Sequence, residues 1–87
     1  MKFKDTLVCK KERFSIGIEE ETKKYYLSIP VANSFVDYEE YYEISKDEFD
    51  EFNASALAAS ELVQQCRNRK QDRRLIMKPG RDRGTAI

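Results

Sequence analysis

The stretch Tyr25–Phe52 reads YYLSIPVANSFVDYEEYYEISKDEFDEF. Tyr25, Leu27, Ile29 and Val31 alternate with Tyr26, Ser28 and Pro30, the period of two that marks a strand with one buried face. Pro30 has no N–H to give to a ladder, which places this end of the strand at an edge or a bulge. Asn33-Ser34 makes a turn. Beyond it, Val36, Tyr38, Glu40, Tyr42 and Ile44 share one face of a second strand, and Asp37, Glu39, Tyr41 and Glu43 share the other. The even face is mostly apolar and turns inward. Glu40 interrupts it: either the carboxylate sits at the margin of the core against a base, or it marks a bulge that shifts the alternation. Ser45 and Glu48 have the spacing of a capping box, and Asp47 and Glu48 suit the positive end of a helix. Phe49 and Phe52 then lie three apart, on one helical face.

Working outward, residues 5–11 (DTLVCKK) read as a first strand. Phe14, Ile16 and Ile18 alternate with Ser15, Gly17 and Glu19 as a second. The charged run of residues 19–24, EEETKK, reads as a solvated hairpin loop. Downstream, Asn53 or Ser55 starts a second helix. Ala56, Ala59, Val63 and Cys66 fall at helical spacing there, with Leu62 beside them. Small alanines suit close packing onto a sheet, and Arg67, Arg69 and Lys70 suit the C-terminal end of that helix. Residues 74–77 (RLIM) read as a short last strand that Pro79-Gly80 stops, leaving 79–87 as a flexible tail. The expectation is one α+β domain over residues 1–87: an antiparallel sheet of three to four strands with two consecutive helices packed on one face.

Composition narrows the function. The chain has 87 residues with 16 basic and 16 acidic side chains, so it has no net field that favours nucleic acid or a membrane. A chain this short buries roughly 60–65% of its unfolded surface, which leaves little room for a cleft within the core. No run approaches the ~20 apolar residues that span a bilayer, and the N-terminus MKFKDTLVCKK carries no signal-like apolar region; a cytoplasmic protein is expected. Cys9 and Cys66 are far apart, each among apolar positions, and read as two buried free thiols, with a disulfide as the lesser alternative. With no His and no paired cysteines, a metal site is disfavoured, no cofactor motif is present, and the usual general base is missing. An enzyme is therefore not expected.

Charge is uneven along the chain. Half of the acidic residues lie between Asp37 and Glu51 with Lys46 as their only base, whereas Arg67 to Arg83 is basic. Tyrosines bring large contact area at low entropy cost, and carboxylates around them steer a basic partner. The expected partner-binding residues are Asp37, Glu39, Tyr41, Glu43, Asp47, Asp50 and Glu51, with Tyr41 and a tyrosine of the Tyr25-Tyr26 pair facing outward. The plain alternative is a solvated sheet face with tyrosines as strand formers. An alternative contact surface is Arg69, Arg73, Arg74, Arg81 and Arg83, suited to an acidic partner or to phosphates; that block holds no aromatic residue for base stacking, and nucleic acid is disfavoured.

The segments YYLSIPVANSFVDYEEYYEIS (Tyr25–Ser45) and LIMKPGRDRG (Leu75–Gly84) resemble those of the small cytoplasmic immunity proteins of bacterial contact-dependent growth inhibition and related polymorphic toxin systems. The resemblance implies a protein that binds one cognate toxin domain, often a basic nuclease, and blocks its active site or substrate surface. It carries over no catalytic residue.

Overall fold

The computed structural model describes residues 1–87. Five strands form one antiparallel sheet: β1 (Phe3–Cys9), β2 (Phe14–Glu19), β3 (Tyr25–Ala32), β4 (Asp37–Ile44) and β5 (Thr85–Ala86). The order across the sheet is β1-β2-β3-β4, with β5 beside the far end of β3. β4 follows β3 without a break from Tyr25↔Ile44 to Ala32↔Asp37, so no bulge occurs at Glu40. β5 therefore takes the other edge of β3, beyond Ser28, where β2 has ended. There the Pro30 carbonyl accepts from the Ile87 N–H at 3.2 Å. A strand residue points its N and O to the same side, so the absent N–H of Pro30 faces Ile87 at the end of β5, whose carbonyl accepts from Arg67 at 2.6 Å instead.

Alternation places the apolar set on one face. Ile16 and Leu27 are fully buried (0% exposed), and a side chain so buried contributes roughly 1.5–3 kcal/mol. Phe14, Ile29, Val31, Tyr42 and Ile44 complete the sheet side of the core. Two helices cover it, α1 (Lys46–Ala54) and α2 (Ser60–Arg67), joined through a 3-10 turn at Ala56–Ala59. Phe52, Ala59, Val63 and Cys66 face the sheet, with Phe49, Ala56 and Leu62 packed against them. The capping box forms as its spacing predicts: the Glu48 N–H donates to Ser45 Oγ at 3.1 Å and the Ser45 N–H to Glu48 Oε1 at 2.8 Å.

Four expectations are corrected. The first strand is Phe3–Cys9 rather than residues 5–11, because Lys10–Arg13 make the turn, with Arg13 at φ 57°. Its register breaks between Asp5 and Leu7, a bulge at Thr6. Glu19 does not belong to a solvated loop: it ends β2 with no exposed surface. Its carboxylate accepts from the N–H groups of Lys2, Glu21 and Thr22 and from the Thr22 hydroxyl, so it serves as the acceptor that organises the hairpin. Residues 74–77 form no strand; only Leu75 bridges to Tyr42. The last strand lies instead within the segment read as a flexible tail. Gly84 is buried against β3, where an added Cβ would stand 2.8 Å from the Ala32 carbonyl carbon. Its N–H donates to the Tyr38 hydroxyl at 2.6 Å.

Arg83 is the polar centre of this closure. Its guanidinium meets Glu40 at 2.7 Å and Asp72 at 2.8 Å. Glu40, on the inward face of β4, is 7% exposed and also accepts from the Tyr42 hydroxyl. The interruption in the even face is thus a buried carboxylate held by a base 43 residues away.

Candidate functional site

The other face of the sheet is shaped by a glycine. Gly17 on β2 lies beneath the Tyr26 ring and against the Lys4 carbonyl, and a Cβ there would overlap both. Tyr26 crosses over this gap, and its hydroxyl donates to Asp5 Oδ1 on β1 at 2.5 Å. Phe3 lies edge-on to Tyr26 with centroids 5.3 Å apart, and stacks on Tyr41 of β4 at 3.6 Å and 12°. Tyr41 is itself edge-on to Tyr26 at 5.1 Å. The sheet therefore curls until its first and fourth strands meet through their rings. Tyr26, expected to face outward as one of the Tyr25-Tyr26 pair, has no exposed surface. The bulge at Thr6 is what turns Phe3 and Asp5 toward it.

Carboxylates border these rings. Glu39 is partly buried, and burial raises its pKa; the Ser28 hydroxyl facing it works the other way, and the Asp5 charge raises it further. Ser28 Oγ is itself buried, with the Glu39 carboxylate as its partner. Burial, then the charges of Glu39 and Asp5, raise the Tyr41 phenol, and burial with the Asp5 hydrogen bond raises Tyr26 well above its ordinary value. The ion pairs of the molecule involve Glu21, Glu40, Glu43, Glu48, Asp50 and Asp72; none reaches Asp5, Asp37 or Glu39. These three carboxylates take part in no ion pair, although Lys10 and Arg13 line one depression with Glu39.

The seven expected partner-binding residues do not share one surface. Asp37, Glu39, Tyr41 and Glu43 lie on this curled face, with Glu43 in a 3.6 Å pair with Lys24. Asp47, Asp50 and Glu51 are exposed on α1, which covers the opposite face of the sheet, and Asp50 pairs with Lys46 at 2.8 Å. The alternative basic set is largely consumed by the fold. Arg83 is held by Glu40 and Asp72. Arg74 pairs with Glu48 at 3.0 Å and donates to the Glu43 carbonyl. Arg69 donates to the Gly84 carbonyl. Arg73 and Arg81 alone make no such bond.

Sequence reasoning missed Phe3 and Asp5 as members of the face. The period-two pattern carried Tyr26 and Ser28 there, and the same alternation begun at Phe3 would have added Phe3 and Asp5; no signal marked the bulge. The β3–β4 turn falls at Asn33-Ser34 as expected, and the Asn33 side chain accepts there from the N–H groups of Phe35 and Val36. That turn leaves Phe35 77% exposed and Val36, expected inward, 57% exposed.

Cys66 is buried, which pushes its thiol up to about 12 and holds it protonated. No three His, Cys, Asp or Glu side chains gather as metal ligands, and no helix is long and apolar enough to cross a membrane. Comparison with protein-family models, with curated proteins and with solved structures gave no match.

Proposed function

We propose that this chain is a cytoplasmic immunity protein that acts by binding, not catalysis: it neutralises a cognate bacterial toxin domain, a nuclease by expectation, by covering its active or substrate-binding surface. The resemblance of Tyr25–Ser45 and Leu75–Gly84 to such proteins supplies the class. The observation that carries the contact surface is the set of carboxylates, Asp37 and Glu39 with Asp5, left without ion pairs around half-buried aromatic rings. Carboxylate charge without an ion pair beside desolvated rings costs stability in the free protein, which is recovered when a basic partner arrives. The neighbouring Phe35 offers an apolar anchor of the kind found at interface centres.

The alternative, a nucleic-acid-binding or regulatory module using the basic C-terminal segment, draws less support, since Arg74 and Arg83 are spent on internal carboxylates. The test is affinity capture of candidate toxin domains encoded beside the protein, followed by association kinetics. Charge reversal of Glu39 and Glu43 together slows association severalfold, and added salt does the same to the wild type. A double variant that protects cells as well as the wild type overturns the assignment of this face.

A further inference from the structure

We infer that Met77–Gly80 is a strap that closes onto the free edge of β4 as a short added strand, with Lys78 set opposite Glu39. Closure takes Glu39 off the contact face; that consequence rests on the reading of the face given above, whereas the closure itself does not.

The outer edge of β4 has an open berth. The Ile76 N–H donates to the Tyr41 carbonyl at 2.9 Å, so Tyr41 turns its backbone groups away from β3. Alternate residues of a strand share that direction, which gives it to Glu39 and Asp37 as well. Pro30 agrees: it lies across from Glu39, and its carbonyl is turned the other way, to Ile87. The backbone N–H and C=O groups of Asp37 and Glu39 thus point off the sheet and meet no partner.

The chain begins to fill this edge and then leaves it. Leu75 makes an antiparallel bridge to Tyr42. Beyond Ile76, Met77–Arg81 form no hydrogen bond through backbone or side chain. They arch over a depression of ≈ 450 Å³ whose other wall is Tyr38, Glu39 and Tyr41. The arch is tied at both ends, by Ile76 and by the Asp82 carbonyl, which accepts from Asn33 Nδ2 at 2.9 Å close to the start of β4.

Register and chemistry specify the closed form. Continuing the bridge antiparallel sets Lys78 against Glu39, Pro79 against Tyr38 and Gly80 against Asp37. Lys78 and Gly80 then exchange backbone hydrogen bonds with Glu39 and Asp37. Pro79 falls where a strand N–H faces solvent, so proline forfeits nothing there. Lys78 and Glu39 belong to no ion pair while the strap is open, and closure makes them a cross-strand pair of opposite charge. Lys10 and Arg13 line a separate depression at Glu39 and leave this edge free. A second copy fits the berth less well, because two β4 edges side by side set Asp37 and Glu39 against like charges.

Backbone amide relaxation dispersion on the whole chain reads the closure, a motion of the microsecond-to-millisecond class. One shared exchange process is expected at Asp37, Glu39, Lys78 and Gly80. Their amide protons should lie downfield in the minor state, and that of Met77, which faces away from the edge, should not. Lys78→Glu sets like charges opposite each other and should lower the closed population roughly fivefold; adding Glu39→Lys should restore it. Gly80→Pro removes a required donor where an added Cβ meets nothing within 4 Å, so the fold is kept and closure is lost. Flat dispersion at these amides, an equal downfield shift at Met77, or indifference to Lys78→Glu and Gly80→Pro overturns the strap. A captured toxin domain should hold the strap open. If exchange continues unchanged in that complex, the strap stands and Glu39 is not a contact residue. If no strap closes yet charge reversal of Glu39 and Glu43 slows association, the contact face stands and only the strap falls.

Discussion

The Arg83 guanidinium lies 2.7 Å from the Glu40 carboxylate, in a pair whose side chains are only 13% and 7% exposed. Removing one member strands the other. Arg83→Met should destabilise the protein by about 3–5 kcal/mol, the range for a buried charge left unpaired. Adding Glu40→Gln should recover much of that loss. The 42%-exposed Asp72 arm should matter far less, about 0–1 kcal/mol for Asp72→Asn. Urea midpoints of the three variants and a double-mutant cycle read this directly; additive losses would mean that the pair does not act as one unit.

Glu19 should govern the acid limb of stability. The Thr22 hydroxyl, opposed by burial and joined by the Lys2, Thr22 and Glu21 N–H groups, lowers its carboxyl to about 2 from its ordinary 4.5. For a carboxylate lowered on folding, the stabilising contribution is present above the unfolded value and lost as pH falls through the folded one. Wild type should therefore lose stability between about pH 4.5 and 2 through this group, and Glu19→Gln should flatten that part of the profile while lowering stability at pH 7. Denaturation midpoints taken across that range decide the matter.

Glu39 has the opposite sign. Its pKa is raised, chiefly by burial. The folded state then holds the proton more tightly than the unfolded chain, so the associated stability is present at low pH and is lost as pH rises through the raised value. Glu39→Gln should melt higher than the wild type at pH 7, with the difference shrinking as the solution is acidified. The same variant should bind a basic partner more slowly. A variant that lost stability at neutral pH would show that Glu39 serves the fold and not a contact.

Gly17 should tolerate no side chain. A methyl group there meets the Lys4 carbonyl and the Tyr26 ring, and Tyr26 has no room to retreat beneath Phe3. Gly17→Ala should cost about 1–3 kcal/mol by overpacking. It should also let the Tyr26 phenol titrate closer to its ordinary range, because the Asp5 contact and the burial both loosen. Ultraviolet titration of the tyrosines, beside thermal melts, separates this from a simple loss of packing.

The parts of the molecule that the sequence disclosed are those written in local spacing. Alternation at Phe14–Ile18, Tyr25–Val31 and Tyr38–Ile44 marks β2, β3 and β4, and Ser45 with Glu48 marks the helix start. Ala56, Ala59, Val63 and Cys66 mark the face that α2 and its leading turn present to the sheet. What escaped was set by distance or by a break in period. The Thr6 bulge puts Asp5 and Leu7 on opposite faces, although alternation counted from residue 5 would put them on one. Glu19 is indistinguishable in sequence from Glu20 and Glu21, yet it alone meets four donors from three residues. Residues 81–87 have no apolar pattern, because they are anchored by one guanidinium, one buried glycine and backbone bonds. Of the candidate contact residues, the outward positions of β4 were legible and their division from the α1 carboxylates was not.

The β1–β4 meander consists of hairpins between neighbouring segments, and such local contacts form early in folding. Glu40 sits within that sheet, but its cation, Arg83, lies beyond α1 and α2 in the chain, just before β5, and joins it only when the C-terminal segment folds back. During the interval the nascent core contains a carboxylate with no counter-charge, which protonation or penetrating water must tolerate. The last closure is therefore electrostatic in character, and refolding should slow at high salt even though most of the buried surface is apolar.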